Sequence, residues 1–179
     1  MTVFRPATLA DLTPLRELVE SAFRGDSSRG GWTHEADLLD GPRTDDATLA
    51  AIIADPGQTM LLAEGKSGLT GCVLVADKGD GLSSLGMLSV APGLQAAGLG
   101  RWLIERAEAL AARTYGASRM EMTVVGVRAE LIAWYERRGY RRTGETRPFP
   151  AVHRMRPGVT PADLEFAVLE RDLRATDAG

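Results

Sequence analysis

Leu88-Ser89-Val90-Ala91-Pro92-Gly93-Leu94-Gln95-Ala96-Ala97-Gly98-Leu99-Gly100-Arg101 reads as a strand, a tight turn and the first turn of a helix. Ahead of the turn, Leu85, Met87, Leu88 and Val90 form an apolar run. Pro92 ends it, because proline has no N–H for a sheet ladder. Beyond the turn, Leu99, Leu103, Ala107, Leu110 and Ala111 recur at helical spacing through a charged segment. A helix that starts near Gly98 leaves its first backbone N–H groups without intrahelical partners. Small residues around them (Ala96, Ala97, Gly98, Gly100) keep side chains out of a ligand's way. The positive end of the helix dipole favours an anion there, so the stretch predicts a phosphate site, with Arg101 as an added charged donor.

A lone Q-x-x-G-x-G also fits a plain strand-to-helix turn whose glycines serve packing. A dinucleotide site wants G-x-G-x-x-G, and Leu103 stands where its third glycine belongs. Glu121 does fall near the usual offset of the ribose-binding acid. No Gly-Lys-Ser/Thr occurs, so the lysine-containing P-loop is absent.

A second block narrows the choice. Val90-x-Pro92-x-x-Gln95-x-x-Gly98-x-Gly100 is followed by Trp134-Tyr135-Glu136-Arg137-Arg138-Gly139-Tyr140. The pair, with a helix and a strand between, resembles the GNAT superfamily of N-acetyltransferases, from about Val3 to Arg171. The first block looks like that family's acetyl-CoA motif, and the second like its aromatic-Tyr-Glu-x-x-Gly-aromatic block. The resemblance implies acetyl-CoA as co-substrate, an amine as acceptor and no metal. It implies an α/β (α+β) fold with a central, mostly antiparallel sheet of about six to seven strands flanked by helices.

Composition is ordinary for a soluble globular protein. The chain has 179 residues, 44% hydrophobic and 25% charged, which fits one domain with a sizeable core. A net charge of −3 favours neither nucleic acid nor an anionic membrane. No apolar run approaches the ~20 residues that span a bilayer. Met1-Thr2-Val3-Phe4-Arg5-Pro6 lacks a signal-peptide pattern, so the expected location is cytoplasmic. Cys72 is the only cysteine, which excludes an intrachain disulfide and a cysteine-built zinc site. A monomer or homodimer is expected.

In chain order, Val3 to Ala7 is a short strand and Asp11 the cap of a helix carrying Leu12, Leu15, Leu18, Val19, Ala22 and Phe23. A glycine-rich loop follows. Thr33 is expected to cap a short helix with Leu38 and Leu39, and Thr44 a second one, Asp45 to Ala54. Thr59–Glu64 and Gly71–Ala76 form a hairpin, and Leu82–Val90 is the third strand. Then come a helix Leu99–Tyr115 closed by Gly116, a strand Arg119–Val125 and a helix Ala129–Arg138 ended by Gly139. Strands Arg141–Glu145 and Leu164–Arg171 finish the chain, joined by a proline-rich loop that holds His153.

Acetyl transfer from a thioester to an amine sets four requirements. The donor must be held, here by Leu88, Ser89, Val90, Gln95, Ala96, Ala97, Gly98, Leu99, Gly100 and Arg101. The developing oxyanion needs a fixed donor, which a backbone N–H in Leu88-Ser89-Val90 supplies. The leaving thiolate needs a proton. Tyr135 falls on the family's usual acid position, and a phenol with a pKa near about 10 keeps its proton at neutral pH. Without the resemblance, Tyr135 reads as an amphipathic core tyrosine with its hydroxyl at the surface, and Trp134 as packing. The ammonium of the acceptor must lose a proton, and here several bases stay open. The family's glutamate on the strand before the turn is missing from Leu82-Ser83-Ser84-Leu85-Gly86-Met87. Glu121, Glu35, Asp37, His34, His153 or a water chain fill the gap. Arg128 stands where the family often has asparagine, which points it at a phosphate. Acidic residues between 24 and 46, with Trp32, Glu35 and Asp37 foremost, suit a cationic or aromatic amine. The alternative is a catalytically silent module of the same fold that binds CoA or acetyl-CoA.

Overall fold

The computed structural model describes residues 1–23, 39–40, 43–149, 154–155 and 157–174. Its strands are β1 (Val3–Pro6), β2 (Leu39–Asp40), β3 (Gln58–Gly65), β4 (Gly68–Gly79), β5 (Leu82–Val90), β6 (Arg119–Val125), β7 (Arg141–Arg147), β8 (Arg154–Met155) and β9 (Phe166–Asp172). The α-helices among these residues are α1 (Leu12–Phe23), α2 (Asp46–Ala54), α3 (Leu99–Tyr115) and α4 (Ala129–Glu136). Seven strands form one sheet in the order β1-β3-β4-β5-β6-β9-β7, and β2 pairs with β8 separately. Only β5 and β6 run parallel; the other neighbours are antiparallel. This is the mixed, mostly antiparallel sheet expected from the sequence.

Alternation along the strands sends successive side chains to opposite faces. Met60, Leu62 and Cys72 pack under α1 and α2 with Leu15, Leu18, Val19, Leu49 and Ile52. Leu61, Ala63, Val73 and Val75 face the other way, onto Leu103, Ile104, Ala107 and Ala111 of α3. Both faces of the β3–β4 hairpin are therefore covered, which is why its central residues read as continuous apolar runs.

Several boundaries move for local reasons. Asp11 lies in a 3₁₀ turn, Leu9–Asp11, rather than capping α1. Its carboxylate accepts from the Thr8 N–H at 2.8 Å and pairs with Arg5 at 2.8 Å. Asp45, and not Thr44, caps α2, accepting from the Thr48 N–H. Thr44 instead donates its N–H to Glu20 at 2.8 Å. Leu39, expected on a helix, pairs with Met155 in β2–β8. The rest of that expected helix and His153 lie outside the described residues. Leu164 sits in a 3₁₀ turn ahead of β9. α4 stops at Glu136, where the Arg138 side chain turns back to donate to the Trp134 carbonyl at 2.7 Å.

Two features of β5 position the site. First, its ladder with β6 consists of Leu82–Arg119, Ser83–Met120 and Ser84–Glu121. Beyond Ser84 the two strands part, and β5 runs on to Val90 with its β6-side backbone groups unpaired in the ladder. Second, the β4–β5 register shifts between Cys72 and Leu74, so Met87 and Leu88 together oppose Val73. Met87 takes a left-handed φ of +49° at this bulge. Its carbonyl is held by the hydroxyl of Ser89 at 3.0 Å and the thiol of Cys72 at 3.6 Å.

Candidate functional site

β5 ends at Val90, a 3₁₀ turn spans Pro92–Ala97, and α3 begins at Leu99. Gly98 joins them with φ +81° and caps α3 without a side chain. A Cβ on Gly98 would meet nothing within 4 Å, so the backbone conformation requires this glycine, and the space before it is open. The first bond of α3 runs from the Trp102 N–H to the Gly98 carbonyl at 3.2 Å. The N–H groups of Leu99, Gly100 and Arg101 thus lack helical partners. Gly100 lines the cleft between α3 and α4 and also faces α4. A Cβ there would stand 3.4 Å from the Trp134 ring, so this glycine lets α4 lie close to α3.

A cleft of about 590 Å³ opens between the two helices. Gln95, Gly98, Gly100 and Arg101 form one wall; Glu130, Trp134, Arg137 and Arg138 stand on the other. The Gln95 amide also donates to the Val90 carbonyl at 3.3 Å, tying the turn to the end of β5. The side chains of Ser89, Val90 and Leu99 are buried, and Leu88 packs on the same core. Ser89, Val90 and Leu99 can therefore offer a ligand only backbone groups. Ala97 is exposed beside Gly98, and the Ala96 side chain lies outside the described residues. Arg128 caps α4 and lies close enough to Tyr135 to favour its ionised form.

Trp134 was expected only to pack, yet it lines the cleft. The Arg138 guanidinium lies flat on its ring, 3.4 Å from the centroid. The Arg138 Nε is buried without a hydrogen-bond partner among the described residues. Burial lowers the pKa of Arg138, and the nearby Arg137 and Arg101 lower it further.

The Trp134 ring stands edge-on to Tyr135 at 5.0 Å. Tyr135 is buried in the main core, and burial drives its pKa well above that of a free phenol. Arg128 and Arg138 pull the other way. Tyr135 in turn meets Tyr140 edge-on at 6.1 Å.

Behind the two tyrosines lies a buried cluster that sequence analysis missed. The Tyr140 hydroxyl donates to Glu108 at 2.8 Å, and Arg171 donates to both Glu108 oxygens at 3.0 Å. Gly139, at φ +92°, leaves room for Arg171, whose Nε would stand 3.2 Å from a Cβ there. Burial raises the pKa of Glu108, while Tyr140 and Arg171 oppose that shift. The available signal was position: Glu108 falls on the apolar stripe of α3 with Ile104 and Ala111.

Glu121 closes the β5–β6 ladder opposite Ser84. Its buried carboxylate is gripped by both terminal nitrogens of Arg147, at 3.1 and 3.2 Å. Arg147 also donates to Glu145 at 2.8 Å. The expected acceptor residues Trp32, Glu35 and Asp37, with His34, lie outside the described residues. No helix among the described residues is long and apolar enough to cross a membrane.

Residues 56–142 match the family model described as an acetyltransferase (GNAT) domain. No curated protein matches the chain. Solved structures share the fold across nearly the full length. A spermidine N-acetyltransferase SpeG chimera from Vibrio cholerae and hSSAT is 14% identical, with a TM-score of 0.73 and 99% of each chain covered. The ribosomal-protein-S18-alanine N-acetyltransferase from Escherichia coli is 15% identical, with a TM-score of 0.68, covering 97% of this chain and 94% of that one. A putative acetyltransferase, yncA from Salmonella typhimurium, was solved with acetyl-CoA. It is 19% identical, with a TM-score of 0.68 and the same coverage.

Proposed function

We propose that the protein is a member of the acetyltransferase (GNAT) family whose domain residues 56–142 match, and that it transfers an acetyl group from acetyl-CoA directly to an amine. The observation that carries this is the cleft beside the unpaired N-terminal donors of α3, next to a β5 strand that has parted from β6. That donor set fits a phosphorylated, amide-bearing arm: N–H groups and guanidiniums for the phosphates, and a free strand edge for the amides. Leu99, Gly100 and Arg101 hold the phosphates through their backbone N–H groups, with Arg128 as a further cation. The backbone of Leu88, Ser89 and Val90 binds along the arm and steadies the developing oxyanion. Acetyl-CoA, when bound, supplies the activated thioester.

Tyr135 is the proposed general acid. Burial keeps its proton in place across the working pH range, and Arg128 and Arg138 stabilise the phenolate it leaves. The high-pH limb expected for a free phenol is therefore displaced upward. Proton removal from the acceptor ammonium is less well served by Glu121. Used as a base, it would have to release Arg147 first. Trp32, Glu35 and Asp37 remain the proposed acceptor wall.

A second reading, a silent acetyl-CoA-binding module, is favoured by that grip on Glu121 and by a β5 strand without a carboxylate. One experiment separates the two. The protein is incubated with acetyl-CoA and a panel of amines while free thiol is followed. Amine-dependent release faster than buffer hydrolysis is expected. Saturable acetyl-CoA binding without turnover on any amine would establish the module instead.

A further inference from the structure

The buried cluster behind the tyrosines plays no part in the proposed reaction so far. Glu108 comes from α3, Tyr140 from the turn between α4 and β7, and Arg171 from β9. Tyr140 is 1% exposed and Glu108 8%. Burying a carboxylate costs free energy that its bonds only offset, and apolar residues of similar volume often serve stability as well. What the polar set adds is direction. The Glu108 carboxylate accepts from the Tyr140 hydroxyl at 2.8 Å and from Arg171 at 3.0 Å, which fixes the Tyr140 ring at its far end. Burial and the Glu108 charge raise the Tyr140 pKa, so the phenol stays the donor. At its near end Tyr140 is tied to Tyr135 twice. Its N–H donates to the Tyr135 carbonyl at 3.3 Å across the left-handed turn at Gly139, and the two rings meet edge-on at 6.1 Å.

We propose that Glu108, acting through Tyr140, is a positioning residue for Tyr135. A general acid must leave its own hydroxyl to the departing sulfur, so its ring has to be aimed by packing. Trp134 and Tyr140 are the rings that meet it, and Tyr140 is the one anchored by a buried carboxylate. Glu108 stands on α3, the helix whose N-terminus is the proposed seat of the donor. The anchor therefore sets the acid on α4 in register with the thioester it must protonate. The inference rests on the acid role of Tyr135 proposed above.

The test is single-turnover acetylation with acetyl-CoA and the amine of the panel that gives the fastest release. Tyr140→Phe, Glu108→Leu and Glu108→Gln are each made with Tyr135 intact and in the Tyr135→Phe background. With Tyr135 intact, Tyr140→Phe and Glu108→Leu should slow the step by about tenfold or more, toward the roughly 10²-fold that misplacement by an ångström can cost. Acetyl-CoA affinity should not change. Glu108→Gln, whose amide oxygen still accepts from Tyr140, should stay within a few-fold of the parent. In the Tyr135→Phe background none of the three should slow the step further, since no proton is left to aim. Tyr140→Phe removes one hydroxyl and keeps the ring, so it decides the matter if Glu108→Leu fails to fold. Equal losses with and without the Tyr135 hydroxyl would make the cluster a brace for the whole fold and overturn the proposal. So would a Tyr140→Phe variant as fast as the parent. Failure of the acid reading looks different: Tyr135→Phe alone would then match the parent, and the positioning role would fall with it.

Discussion

The N-terminus of α3 and the Glu121–Arg147 pair lie at opposite ends of the parted β5–β6 strands, and they differ in electrostatic completeness. At the first, donors outnumber acceptors: N–H groups lack helical partners, and Arg137 and the Arg138 Nε lack ionic ones among the described residues. At the second, a buried carboxylate meets a bidentate guanidinium, and Arg147 is shared further with Glu145. An unfinished set of donors is ready for a ligand, whereas a matched pair already has its stabilisation. Functional residues are thus expected where the polar accounting is left open.

The largest expected effect lies at Tyr135. Tyr135→Phe keeps the ring against Trp134 and Tyr140 and deletes only the hydroxyl that carries the proton. In single-turnover assays the acetylation rate should fall by roughly 10²–10⁴-fold. Acetyl-CoA affinity and melting temperature should change little. A donor with a better leaving group should recover part of the loss. A variant that turns over like the parent at every pH makes Tyr135 a packing residue.

The unfinished end can be broken next. Gly98→Val puts a branched side chain where φ is +81° and bulk where the phosphate approaches. Affinity for acetyl-CoA should drop on the order of tenfold or more, with about 1–2 kcal/mol of stability lost to backbone strain. Gly98→Ala carries most of the strain with little bulk, so calorimetry on both separates the two effects. Gly100 is the poorer target, because a larger residue there strikes Trp134.

The matched end should respond in the opposite sense. Glu121→Gln breaks the bidentate pair, and the parent fold should lose about 1–2 kcal/mol in urea unfolding, since Arg147 stays partly solvated. Acetyl-CoA affinity should be unchanged and the rate should move only a few-fold. A rate loss as large as that of Tyr135→Phe would identify Glu121 as the base despite its partner.

The smallest effect concerns Glu108. Its pKa is raised by burial in the folded state, so the folded form binds the proton more tightly than the unfolded one. Its contribution is therefore fully present below the unfolded value of 4.5 and is lost as pH rises through the folded value. Glu108→Gln should remove that segment of the stability–pH profile while the Tyr140 hydroxyl keeps an acceptor. Unfolding curves collected from acid to neutral pH on parent and variant check it. Profiles of identical shape would show that the Arg171 pairing cancels the burial effect.

From the sequence alone, the segment from β5 to β6 could be read to the residue: Leu82–Val90, Leu99–Tyr115 and Arg119–Val125 all stand where periodicity put them. Gly116 closes α3 in the left-handed conformation, as the expected glycine cap. These features follow from rules that act within a few residues, such as apolar spacing, the missing proline N–H and the freedom of glycine. Tertiary structure decided the rest. The parting of β5 from β6, the bulge at Met87 and the seat of Arg138 on Trp134 depend on which strands and helices become neighbours. Glu121 found Arg147, and Glu108 found Tyr140 and Arg171, across separations of 26 to 63 residues. No local pattern marks such partners, because a charged side chain's role is set by what folding brings within about 3 Å of it and by how much water folding removes.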